Sequence, residues 1–168
     1  MLRFEQPWRT AGRRVAGPAK QLDSAWQSAL KTITDRWPDI PLVVGGRSAG
    51  ARVACRCFAS PARGVVALAF PLHPPGRPAS SRAAELDAVE GPVLIVQGER
   101  DPFGTSDEVR RAFPGRDVVN VAGAVHGLGP TRKADDPTAR AAAIVEPVAR
   151  FVSAVTGGGQ LPRTSARS

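Results

Sequence analysis

A chain of 168 residues suits one domain built around one hydrophobic core. With 42% hydrophobic and 23% charged residues it has the composition of a soluble globular protein, and no apolar run approaches the roughly 18 residues a membrane-spanning helix needs. The net charge of +8 is carried mostly by arginines scattered through every segment, not gathered into a basic stripe or a recognition helix, so no nucleic-acid or membrane role is expected. Arg3, Glu5 and Arg9 interrupt the first nine residues, which therefore do not read as a secretory leader, and a cytoplasmic location follows.

Along the chain, apolar runs alternate with helical patterns, the sign of an α/β fold with a mostly parallel sheet covered by helices on both faces. Residues 1–5 form a candidate strand. Asp23 to Arg36 places Ala25, Trp26, Ala29, Leu30 and Ile33 on one helical face, and Pro38 ends the segment. Leu42 to Gly46 reads as a short strand and Ser48 to Ser60 as a helix. Gly64 to Phe70 is a fully apolar strand, followed by an irregular loop carrying Pro71, Pro74, Pro75 and Gly76. Val93 to Gln97 is a strand, Thr105 to Phe113 a short helix and Asp117 to Val121 another strand. Asp136 opens a long helix over Pro137 to Thr156, with a kink expected at Pro147 and a stop at Gly157 to Gly159. A single domain is thus expected over 1–156. The tail over 157–168, rich in glycine, serine and arginine, is expected to be disordered. Cys55 and Cys57, two apart on a predicted helix, suit neither a disulfide nor a metal pair and read as small apolar residues.

Chemistry enters at Gly46-Arg47-Ser48-Ala49-Gly50, a G-x-S-x-G pattern between a predicted strand and a predicted helix. In that context the pattern is a nucleophile elbow: the serine sits in a strained turn, and Gly46 and Gly50 supply the smallness that lets strand and helix approach. The competing reading is a serine that merely caps an ordinary helix. A nucleophilic serine needs a base to take its proton and an acid to orient that base, each delivered from the carboxyl end of a later strand. Gly98-Glu99-Arg100-Asp101-Pro102-Phe103-Gly104 follows one such strand and Gly123-Ala124-Val125-His126-Gly127 the next. His73 and His126 are the only histidines, and His126 fits by order and position. Ser48, His126 and Asp101 are therefore the expected triad, with Glu99 as the reserve carboxylate and Ala49 N–H as an oxyanion donor. Arg47, Phe70, Leu72, His73 and Phe103, at or just beyond strand ends, are candidates to line the substrate pocket. The chemistry calls for no cofactor and no metal.

Three stretches, Val-Gly-Gly-Arg-Ser-Ala-Gly-Ala-Arg at 44–52, Phe-Pro-Leu-His-Pro-Pro-Gly at 70–76 and Val-Gln-Gly-Glu-Arg-Asp-Pro-Phe-Gly at 96–104, together with Phe4-Glu5-Gln6-Pro7-Trp8, resemble one known family. It is that of the small dienelactone-hydrolase-like α/β-hydrolases grouped with a testis-expressed protein and a subunit of the non-specific-lethal complex, and the likeness covers residues 1 to about 155. The resemblance implies a three-layer α/β-hydrolase fold and makes Ser48, Asp101 and His126 its triad. It departs at Val125, where members usually carry an acid, and at Ala49, where a bulkier residue is common. Members also begin with strands and a glycine-rich loop ahead of the segment matching Met1 to Phe4, so the resemblance implies a fold truncated at its N-terminus. That loop normally donates one of two oxyanion N–H groups, and the expectation that follows is reduced activity.

The function expected from the sequence is serine-hydrolase cleavage of a small carboxylic ester or thioester. The alternative is a hydrolase-like domain that binds a partner or ligand without turnover.

Overall fold

The computed structural model of the chain describes residues 1–129 and 136–157. Four strands, β1 (Leu42–Arg47), β2 (Ala62–Leu68), β3 (Val93–Gly98) and β4 (Asp117–Val121), form one sheet in the order β1-β2-β3-β4. Every neighbouring pair is parallel, in register Val44 to Val65, Val65 to Val93 and Ile95 to Val118. Parallel strands require crossovers, and the chain supplies a helix in each: α3 (Ala49–Arg56), α4 (Ala83–Asp87) and α5 (Ser106–Ala112). Because strand order never reverses and such crossovers are right-handed, all three helices must fall on the same face of the sheet. α1 (Pro7–Thr10) and α2 (Ala19–Arg36) precede the sheet, and α6 (Pro137–Thr156) follows it.

The period-2 alternation of the central strands divides the core in two. Val65, Ala67, Val93 and Ile95 point to the face covered by α2 to α5, where they pack with Ala51, Ala54, Leu86, Val109 and Phe113, flanked by Trp26 and Leu30. Leu94 and Val96 point to the opposite face with Val121, Ala124 and Leu128, and α6 lays Ile144, Val148 and Phe151 over them at helical spacing. Helices on both faces of a parallel sheet make the three layers of an α/β-hydrolase fold. β3 is buried at every position, as its uninterrupted Val-Leu-Ile-Val run requires.

Residues 1–5 are not a strand. They have no ladder partner, and Phe4 instead sets its ring edge-on against Trp26 at 5.9 Å. The expected helix over 48–60 ends at Arg56, and the strand expected over 64–70 lies two residues earlier, at Ala62–Leu68. Neither α1 nor α4 shows in the sequence pattern, since four or five residues are too few to display a helical period. α6 runs through Pro147 without a break; it starts where Asp136 accepts from Thr138 N–H at 2.8 Å and stops where Gly157 turns left-handed at φ 77°. Of the expected tail, residues 158–168 lie outside the described residues.

Candidate active site

All four strands deliver their carboxyl ends to one edge of the sheet, and the loops leaving that edge carry the three predicted residues. Ser48 stands between β1 and α3 with φ 54° and ψ −115°, a left-handed conformation that a residue with a Cβ adopts at a cost of about 1–3 kcal/mol. The turn is held by Ser48 N–H donating to Leu68 C=O at 3.0 Å. Gly46 makes the turn possible: a Cβ there would lie 2.6–2.9 Å from three backbone atoms of Gly50. The requirement is one-sided. A Cβ on Gly50 would meet nothing within 4 Å, so the expected need for smallness on both sides of the serine holds at Gly46 alone. Ala49, first residue of α3, has no intrahelical acceptor for its N–H.

The loops after β3 and β4 are sewn together. Glu99 N–H donates to Val121 C=O at 3.1 Å and Arg100 N–H to Ala124 C=O at 2.9 Å. Gly98 permits this approach, since a Cβ there would stand 2.6 Å from Ala124 O and 3.0 Å from Val125 O. The stitching brings His126 over Asp101. His126 Nδ1 lies 2.9 Å from Asp101 Oδ2, and its Nε2 lies 2.7 Å from Ser48 Oγ. An ionised carboxylate can only accept, so Nδ1 carries the ring hydrogen and the Nε2 lone pair faces the serine hydroxyl. The Asp101 side chain is fully buried while that of His126 is 22% exposed. Phe103 N–H donates to Asp101 Oδ1 at 2.9 Å, and Gln97 Nε2 reaches Oδ2 at 3.1 Å. The buried carboxyl group is thus met by three hydrogen-bonding partners, one of them the imidazole.

The remaining expected residues divide. Phe103 stacks on the His126 ring, centroids 4.2 Å apart and planes tilted by 31°, so it braces the imidazole. Phe70 and Leu72 are buried in the core beneath the sheet edge, where Leu72 backs onto Gly104. Arg47 is exposed at the end of β1. His73 is buried, with Nδ1 3.0 Å from Pro74 O and Nε2 3.6 Å from Glu108 Oε1. The Glu108 carboxylate accepts from Thr105 N–H at 2.7 Å in the capping box of α5, which holds it below the usual carboxylate range despite some burial. Glu99, the reserve carboxylate, is turned away from His126 and accepts from Gly123 N–H at 2.6 Å.

A cleft of about 180 Å³ opens beside Ala49, between Gly17 and Leu22 on one side and Arg52 and Arg56 of α3 on the other. None of the five expected pocket residues lines it. Its arginines are paired: Arg52 Nε donates to Glu85 at 2.7 Å and Arg56 Nε to Asp23 at 3.0 Å. Against the cost of partial burial, Arg52 and Arg56 hold the Glu85 carboxyl below its ordinary range. Among the described residues, no three His, Cys, Asp or Glu side chains gather where they could hold a metal.

A family model described as "Alpha/beta hydrolase domain" matches residues 1–154. The chain belongs to this family. Solved structures agree on the fold of this α/β-hydrolase chain. An α/β serine hydrolase homologue from Coxiella burnetii is 15% identical with a TM-score of 0.58, the match covering 85% of this chain and 62% of that one. An α/β serine hydrolase without a lid from Xanthomonas campestris is 18% identical with a TM-score of 0.60, over 83% and 61% of the two chains. An esterase from Pyrococcus furiosus is 18% identical with a TM-score of 0.58, over 82% and 62%. The α/β-hydrolase chain described here therefore spans just over three-fifths of the length of each of the three. No curated protein matches it. Among the described residues, no helix is long and apolar enough to cross a membrane.

Sequence reasoning missed Gln97 and Gly98. A glutamine closing an otherwise apolar buried strand, just before the acid loop, was the available signal.

Proposed function

We propose that this α/β-hydrolase chain hydrolyses a small carboxylic ester or thioester through Ser48, His126 and Asp101. One observation carries the reading: the unbroken path from Ser48 Oγ through both ring nitrogens of His126 to a buried Asp101 carboxylate, in steps of 2.7 and 2.9 Å. The serine in that path occupies a strained backbone conformation, which an ordinary helix cap does not require.

In the proposed reaction, Ser48 Oγ attacks the acyl carbon while His126 Nε2 takes the hydroxyl proton. The carbonyl oxygen becomes an oxyanion beside Ala49 N–H. As the tetrahedral intermediate collapses, the imidazolium returns the proton to the departing alkoxide or thiolate and an acyl-serine remains. A water molecule, deprotonated by the same Nε2, attacks that acyl-serine, and the carboxylic acid leaves with Ser48 restored. Asp101 fixes the tautomer and stabilises the imidazolium formed twice in each cycle. Each oxyanion donor is worth about 10² to 10³ in turnover. The stretches at 44–52, 70–76 and 96–104 support a place among dienelactone-hydrolase-like members of the family.

Hydrolysis of p-nitrophenyl acetate by the wild type and by Ser48→Ala tests this. The wild type should turn over and the variant should fall to the uncatalysed rate; equal rates in the two proteins would overturn the assignment.

A further inference from the structure

The side chain of Gln97 is fully buried at the carboxyl end of β3, directly beneath the acid loop, and the reaction just described makes no use of it. Its Nε2 faces three acceptors: Gly104 O at 2.6 Å, Asp101 Oδ2 at 3.1 Å and Phe70 O at 3.2 Å. Among the described residues, its buried Oε1 has no hydrogen-bond partner. That asymmetry fixes which end of the amide is which. Turned over, the carbonyl oxygen would confront a carboxylate and two carbonyls, three acceptors with nothing to donate to them.

We propose that Gln97 is a positioning residue of the triad, whose amide holds the Asp101 carboxylate in the rotamer that receives His126. Both Gln97 Nε2 and His126 Nδ1 address the same oxygen, Oδ2, while Phe103 N–H addresses Oδ1. The carboxylate plane is thus fixed at both oxygens before the imidazole arrives. The same amide ties the acid loop, through Gly104 O, to the loop that leaves β2, through Phe70 O. Leucine fills the volume and donates nothing. Glutamate keeps the shape and donates only when protonated, when its O–H replaces one of the two amide hydrogens.

This inference rests on the serine-hydrolase reading, and its test keeps the two apart. Gln97→Leu and Gln97→Glu are compared with the wild type in the full chain by two measurements: the rate at which a fluorophosphonate probe labels Ser48 as a function of pH, and the ¹⁵N and Nδ1–H resonances of the His126 imidazole. Thermal unfolding accompanies both. Loss of one hydrogen bond to a charged group predicts that Gln97→Leu labels about 10- to 100-fold more slowly at neutral pH, with a displaced Nδ1–H resonance. In Gln97→Glu the deficit should grow as pH rises and the new carboxyl loses its proton, and shrink as pH falls and the proton returns, a pH dependence that mere loss of packing does not produce. A Gln97→Leu variant that labels at the wild-type rate with an unchanged His126 spectrum would overturn the proposal. So would a Gln97→Glu deficit independent of pH, which decides the matter if the leucine variant does not fold. If the wild type itself fails to label, the hydrolase reading falls, and the His126 spectrum still decides whether Gln97 orients Asp101: shifted resonances uphold it and unchanged ones remove it.

Discussion

Replacing each elbow glycine with alanine separates a requirement for space from a preference for flexibility. At Gly46 the added Cβ would stand 2.6 Å from Gly50 C, 2.8 Å from Gly50 O and 2.9 Å from Gly50 Cα. All three are backbone atoms, which cannot rotate away as a side chain would, so β1 and the first turn of α3 must part. Overpacking of this kind costs about 1–3 kcal/mol. For a chain of this size that corresponds to a fall in Tm of roughly 2 to 12 °C. At Gly50 the same methyl meets nothing within 4 Å, and the residue is helical with an ordinary negative φ. Alanine there should stabilise the helix by about 0.5–1 kcal/mol, a rise in Tm of about 1–4 °C. Thermal unfolding of Gly46→Ala and Gly50→Ala, followed by circular dichroism under identical conditions, checks the pair. Equal losses in the two variants, or an unperturbed Gly46→Ala, would refute the one-sided account of the elbow.

Asp101→Asn should keep the fold and reduce kcat/KM on p-nitrophenyl acetate by on the order of 10⁴, because an amide at this position favours the wrong imidazole tautomer; a loss confined to KM would count against it. Glu108 has its folded-state pKa lowered by the Thr105 cap, so its contribution to stability is present above the ordinary carboxylate range and is lost as pH falls through the lowered folded value. Urea unfolding should therefore show the wild type ahead of Glu108→Gln at pH 7, by under about 1 kcal/mol, with the gap closing in acid. Burial first, and Glu85 second, push the Cys55 thiol up to about 12, while burial raises Cys57 to about 11. Neither should react with a disulfide reagent at pH 8 until the protein is unfolded, and rapid native-state modification of either would contradict that placement.

The sheet was legible because a parallel strand buried on both faces must be apolar throughout, and Val93 to Val96 is such a run. The order of elements followed from helices long enough to show a period, α2 and α6 above all. Ser48, Asp101 and His126 were legible as loop residues after β1, β3 and β4, since parallel topology sends every such loop to the same edge. Which residues support them was not. Gln97 acts through a buried amide and Gly98 through a missing Cβ that lets Ala124 approach, and both are properties of three-dimensional proximity that no one-dimensional spacing encodes. Phe70 and Leu72 illustrate a related point: a position just past a strand end reaches the site or the core according to the turn that follows. Here Ala69, with φ 46°, begins a turn that leaves both side chains in the core.

The most direct test of the account is covalent. A fluorophosphonate probe added to the folded protein, followed by peptide mass analysis, should place the label on Ser48 alone, with labelling slowed in His126→Ala and absent in Ser48→Ala. Folded protein that takes up no label, or takes it up equally well without Ser48, would contradict the claim that this serine is the activated nucleophile.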